Sequence, residues 1–178
     1  QESGGTRAYG EWAAKKLKSK RATLVATSLL GALIFVDDYF NCLTVGSVMR
    51  PVTDKYKVSR AKLAYLIDAT AAPVCIIAPI SSWAAAVSGY IEGANGIELF
   101  IQCIPYNFYA LLTIAMMITI ILLDFDFGPM KKHEIAAREH GDLFSGEKHI
   151  GDESVPTGKG KVIDLVPVSY THLRAHET

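Results

Sequence analysis

The chain has 178 residues, of which 50% are hydrophobic and 20% charged, and its 18 Lys+Arg balance 18 Asp+Glu. That length suits one domain. Zero formal charge excludes a nucleic-acid binder held by bulk charge, because such binding needs an excess of Lys and Arg facing phosphates.

The placement of the charges says more than their sum. Leu63 to Met130 contains no Lys or Arg in 68 residues, and Ala22 to Met49 carries only Asp37 and Asp38 as charges. All the basic residues lie outside these tracts: six in Arg7–Arg21, five in Arg50–Lys62, six in Lys131–Lys161, and Arg174. A soluble protein scatters Lys and Arg over its solvated helix faces. Excluding them from stretches longer than the roughly 20 residues that cross a bilayer is the pattern of a membrane protein. The expected fold is therefore all-α: a polytopic membrane bundle with a re-entrant or broken helix and two proline-kinked transmembrane helices.

In chain order, residues 1–21 form a basic arm. A transmembrane bundle follows over 22–123, made of an apolar unit at 22–49 and spans at 63–91 and 97–123. The turn EGANG joins the two spans as a tight hairpin. Residues 124–162 are a Gly-, Ser- and charge-rich linker, expected to be mobile with a short helix at its start. KGKVIDLV, ending at residues 163–166, reads as the start of a further span. No cleavable signal peptide is visible, since about twenty polar residues precede the first apolar run. Gln1 is not an initiator Met, so a fragment of a longer chain is expected. Cys42, Cys75 and Cys103 all sit in apolar units and read as small packing residues.

Positive residues favour the cytoplasmic side. That rule puts the arm, the loop RPVTDKYKVSRAK and the linker inside, and EGANGIE outside. The unit at 22–49 then has both flanks inside. Either it dips in and returns, breaking near Asp37-Asp38 into arms of about 15 and 11 residues, too short to cross roughly 30 Å, or it is one tilted helix that violates the rule. The charge rule favours the hairpin.

Carboxylates at bilayer depth are costly unless they pair, face a cavity or bind a cation. Asp37, Asp38 and Asp68 are the three here. Asn41 and Thr44 follow Asp37 at helical spacing and extend a polar stripe of hard oxygen ligands, suited to Na⁺ or a hydrated proton. Two adjacent aspartates cannot both ionise cheaply, so one should take up a proton readily. The alternative is that the pair lies at a helix end, with Asp38 as a cap. Asp68 precedes Pro73, Pro79 and the pair Ser81-Ser82. The prolines remove backbone donors, and PISS reads either as an unwound crossover of the kind that coordinates ions or as a satisfied kink. Pro105 with Asn107 makes a weaker case. There is no GxGD or GxS membrane-protease motif, no HExxH and no phosphate loop, so neither an enzyme nor a bound cofactor is expected.

The stretch VDDYFNCLTVGSVMRPVTDKYKVSRAKLAYLIDATAAPVCIIAPISSWAAAVSGYI (36–91), with IPYNFYALLTI (104–114) and FDFGPMKKHE (125–134), resembles the NhaC family of Na⁺/H⁺ antiporters. The resemblance covers most of the chain. It implies a multi-pass, all-helical transporter of the bacterial or archaeal cytoplasmic membrane, with Na⁺ and H⁺ as transported ions, a lipid bilayer around it and possible homo-oligomers. Family members are considerably longer, so this stretch alone is expected to lack the remaining spans and to be inactive. Similar relatives exchange organic acids with Na⁺/H⁺, and a non-transporting membrane subunit is the competing class. The resemblance does not single out which aspartate binds. The last twelve residues, PVSYTHLRAHET (167–178), resemble a sequencing adapter read in frame, so His172 and His176 are given no chemical role.

Overall fold

The computed structural model describes residues 16–90 and 95–144, and these form helices with no strand among them. The tail at 167–178, the span start at 163–166 and most of the basic arm and the EGANG turn lie outside the described residues.

Polar side chains cap the start of five of the seven described helices. Helix α1 is Lys20–Leu33, and the Ser19 hydroxyl accepts from the Ala22 N–H at 3.1 Å. Thr23 and Thr27 on its inner face turn their hydroxyls onto carbonyls four residues back, at 3.1 and 2.8 Å, which lets them be buried. Helix α2 is Asp38–Lys55, capped by Asp37. Helix α3 is Arg60–Cys75, where the Ser59 hydroxyl accepts from the Lys62 N–H. Helix α4 is Ser82–Gly89, capped by Ser81. Helix α5 is Gly96–Cys103, followed by a 3-10 turn at Ile104–Tyr106. Asn107 then caps α6, Phe108–Leu123. Helix α7 is Gly128–His140, and it stops at Gly141, whose φ of +68° is the left-handed conformation that a C-terminal glycine supplies without strain.

Helix α3 is the central strut and packs on α1, α2, α6 and α7. One core cluster joins Val45, Val48, Met49 and Val52 of α2 to Leu63. A second joins Leu24, Leu66, Ala69, Met117 and Ile121. Helices α1 and α3 approach closely at Gly31, where an added Cβ would lie 2.2 Å from the Thr70 hydroxyl oxygen. Helices α4 and α5 pack mainly on each other and leave Trp83, Tyr90 and Ile97 exposed.

The unit at 22–49 reverses direction. The chain leaves the helix at Ile34 and restarts at Asp38, and the Tyr56 hydroxyl donates to the Leu17 carbonyl, so both ends of the unit lie at one pole. Its second arm is longer than expected: 18 residues rather than about 11, because Arg50–Lys55 continue the helix instead of forming a loop. Pro51 is tolerated there, inside α2, at the cost of one ladder hydrogen bond. Neither 63–91 nor 97–123 is one continuous helix. The first is interrupted at residues 76–81 and the second at 104–107, with Pro79 and Pro105 in the interruptions and Pro73 inside α3. Among the described residues one helical stretch, Phe108–His140, is long and apolar enough to cross a membrane. It is interrupted at residues 124–127. Its apolar part is α6, whereas α7 carries Lys131, Lys132, Glu134 and Arg138.

The basic flanks are tied together by ion pairs and hydrogen bonds. Lys62 is fully buried and its ammonium lies 2.8 Å from Asp126, itself only 11% exposed, and 3.9 Å from Asp124. Glu134 of α7 pairs with Lys20 of α1 and accepts from the Ser59 N–H at 3.1 Å. The Arg60 N–H donates to the Leu143 carbonyl, and the Arg60 guanidinium lies over the Phe144 ring. The linker begins with the short helix expected of it, 13 residues long and docked on the bundle; residues 145–162 lie outside the described residues. Burial raises the Glu134 pKa, but the hydrogen bonds from Lys20 and Ser59 outweigh it and hold the carboxyl below its ordinary value.

Two outcomes follow. Asp126→Ala, which strands a buried ammonium, should lower unfolding stability in detergent by roughly 3 kcal/mol or more, and Lys62→Met/Asp126→Leu by clearly less. Because Glu134 is depressed, its contribution is complete above the ordinary carboxylate value of 4.5 and is lost as pH falls through its lower folded value. Hydrogen exchange in α7 should therefore accelerate only below that range, and Glu134→Gln should remove this acid limb.

Candidate functional site

At the pole opposite the ion pairs, two helix interruptions meet. The first, residues 34–37, separates α1 from α2, and the second, residues 76–81, separates α3 from α4. The Ser82 N–H donates to the Val36 carbonyl at 2.8 Å, so the interruptions are bonded to each other through the backbone.

Each one is closed by local chemistry. Asp37 adopts an extended conformation and its carboxylate accepts from the Phe40 N–H at 2.8 Å, the geometry of an N-cap. Asp38 is the first residue of α2, where a negative charge complements the helix dipole. The alternative reading of the pair gave the cap to Asp38; the pair does lie at a helix end, and Asp37 is the cap. Asn41 is completely buried. Its amide group donates toward the carbonyls of Gly31 (2.6 Å) and Ile34 (2.9 Å), with the Thr70 carbonyl at 3.5 Å. It thus satisfies the last turn of α1 across the gap. The Asn41 Oδ1 is buried with no hydrogen-bond partner among the described residues.

In the second interruption Pro79 has no N–H to give and disfavours helix at Ala78. The Ser81 hydroxyl donates toward the carbonyls of Cys75 (2.7 Å) and Ala78 (3.0 Å) and accepts from the Ala84 N–H (3.2 Å). Ser82 is exposed. Thr70 donates to Leu66 and Ile67 carbonyls, which leaves its own carbonyl to Asn41.

The carboxylates lie around this junction. Asp38 and Asp68 both act electrostatically on Cys42, and Asp37 and Asp38 on Cys75. Asp37 and Asp38 are half-buried and Asp68 is exposed on α3. Thr44 is half-buried one turn beyond Asn41, and its carbonyl accepts from the Ser47 hydroxyl. The stripe Asp37/Asp38–Asn41–Thr44 is therefore not one uniform row of ligands: Asn41 turns inward, while the acids stay near the surface of the bundle. Thr70 and Gly31 completed the junction without having been singled out. Their signal was the pairing of a glycine with a hydroxyl at a close approach, which a single sequence does not display.

A carboxylate pair beside two interrupted helices and an unpaired amide oxygen supplies the hard oxygen ligands that a small cation takes. The profile of the Na⁺/H⁺ antiporter family matches residues 84–173. An uncharacterized protein of Haemophilus influenzae is 39% identical over 174 residues, an alignment that covers 92% of this chain and 32% of that protein. The chain thus spans about a third of the length of this relative. No solved structure matches.

Asn41→Ala should strand the Gly31 and Ile34 carbonyls and lower thermal stability by roughly 1–3 kcal/mol. Asn41→Asp, an acceptor in the donor's place, should cost at least as much, as read by unfolding in detergent.

Proposed function

The chain belongs to the Na⁺/H⁺ antiporter family, and from that premise we propose that it is part of a membrane transporter, not an enzyme, that exchanges Na⁺ for H⁺ in the manner of the NhaC group. In this reading Asp38 and Asp68 are the exchanging carboxylates. Asp37 stands behind them because its oxygen already caps α2. Asn41 Oδ1 offers a neutral ligand, with the Ser81-Ser82 junction forming the adjoining wall.

One observation carries the reading: two interrupted helices are bonded at their breaks beside three carboxylates in an otherwise base-free tract. Interrupted helices expose carbonyls and helix ends that can coordinate an ion where continuous helices cannot. The exposure of Asp68 fits a half-site whose other ligands come from further spans of a longer chain. The exposed apolar residues of α6, among them Leu112, Leu122 and Leu123, suit contact with lipid or with those spans. The pole of paired bases then faces the cytoplasm by the positive-inside rule.

The test uses the full-length gene in inside-out or reconstituted vesicles of a bacterial membrane. Addition of Na⁺ should dissipate an imposed pH gradient. Asp38→Asn and Asp68→Asn should each reduce that flux roughly tenfold or more, whereas Thr44→Ala should have a smaller effect. Absence of Na⁺-dependent proton flux in the wild type would discard antiport. Normal flux in both aspartate variants would discard the site. Proton flux that requires an organic acid would move the chain to the exchanger class.

A further inference from the structure

At the ion-paired pole every described acid is engaged. Asp54 pairs with Arg60, Asp126 and Asp124 with Lys62, Glu134 with Lys20, and Glu139 with Arg138, while Asp142 accepts from the Phe144 N–H. Five cations are left over. Lys18, Arg21, Lys57, Lys131 and Lys132 are all exposed and none is ion-paired among the described residues. They come from the start of α1, the α2–α3 turn and the first turn of α7. Those segments are joined by Lys20–Glu134, Ser59–Glu134, Lys62–Asp126 and Tyr56–Leu17. The segments that carry the surplus are thus held together at one pole.

Directly beside it the surface is apolar. Phe125 and Phe127 are exposed and stacked, with ring centroids 6.3 Å apart, and Leu122 and Leu123 at the end of α6 are exposed before them. Aromatic residues between an apolar helix and a set of lysines occupy the depth where acyl chains give way to headgroups. A soluble polyanion would satisfy the charges but not the adjoining rings.

We propose that this pole binds anionic phospholipid headgroups, with the five cations contacting lipid phosphates while Phe125 and Phe127 lie at the acyl boundary. The proposal rests on the reading of the chain as a membrane protein. Basic clusters next to a membrane-embedded segment gain from such contacts, and the gain is screened by salt. The ion pairs have a defined part in this. They consume the acids that would otherwise repel phosphate, and they hold α7 so that Lys131 and Lys132 share a surface with Lys57.

The test is lipid binding by the full-length protein in neutral detergent, followed by native mass spectrometry with phosphatidylglycerol, phosphatidylcholine or inorganic phosphate. Phosphatidylglycerol should bind roughly tenfold or more tightly than phosphatidylcholine at low salt, and the preference should shrink at high salt. Lys57→Gln/Lys131→Gln/Lys132→Gln should abolish the preference, Lys57→Arg/Lys131→Arg/Lys132→Arg should keep it, and Glu98→Gln on α5 should leave it unchanged. Equal binding of the two lipids, equally tight capture of phosphate alone, or an unaffected glutamine variant with wild-type unfolding temperature would each overturn the proposal. A protein that transports Na⁺ but shows no lipid preference loses this proposal only. One that fails to enter vesicles at all loses the transporter reading as well.

Discussion

A helix that stops inside an apolar bundle leaves carbonyls and amides with no water to satisfy them, and the fold is organised around answering that demand twice in one place. Asn41 answers it for α1, reaching back across the break to the Gly31 and Ile34 carbonyls and toward Thr70. Ser81 answers it for α3, and Ser82 closes the circuit to Val36. An unpaired buried backbone group costs about as much as a lost hydrogen bond, so each break is closed by its own polar side chain and the two are then joined through Ser82 and Val36. The carboxylates near them are placed by the same solution: Asp37 and Asp38 begin α2 because the chain must restart there.

Much of this is written in the order of residues. The base-free tracts, the break at Asp37-Asp38 and the interruption at Pro79–Ser82 follow from charge placement and from residues that end or cap helices. The return of the first unit to its starting pole follows from bases on both its flanks. What the sequence does not display is partnership over distance. Lys62 looks like one more base in a loop, yet it is buried against Asp126, sixty-four positions on. Glu134 sits in a segment whose composition reads as solvent-borne, and only its pairing with Lys20 shows that the segment is docked. The inward turn of Asn41, away from the acids it follows at helical spacing, is likewise decided by carbonyls on another helix.

The acids and the bases therefore divide the molecule into two ends with different economies of charge. At one end, acids and bases neutralise each other in buried pairs, and the excess is positive and exposed. At the other, carboxylates stand without a single described base beside them, and this is where cation exchange is proposed. The pairs at the first end tie four segments together, whereas the acids at the second are in no ion pair among the described residues.

Helix α3 touches both ends. Its first turn holds Lys62 and its third reaches Asp68 and Thr70, so roughly 12 Å of continuous helix lies between the buried ion pair and the junction of the two breaks. A helix of that length is stiff along its axis. Through Lys62 and Asp126 the same strut is tied to the segment between α6 and α7, so the junction of the breaks and the ion-paired pole are built on one helix. Helix α4 follows that strut after the interruption at residues 76–81, and its Ser82 N–H donates to the Val36 carbonyl.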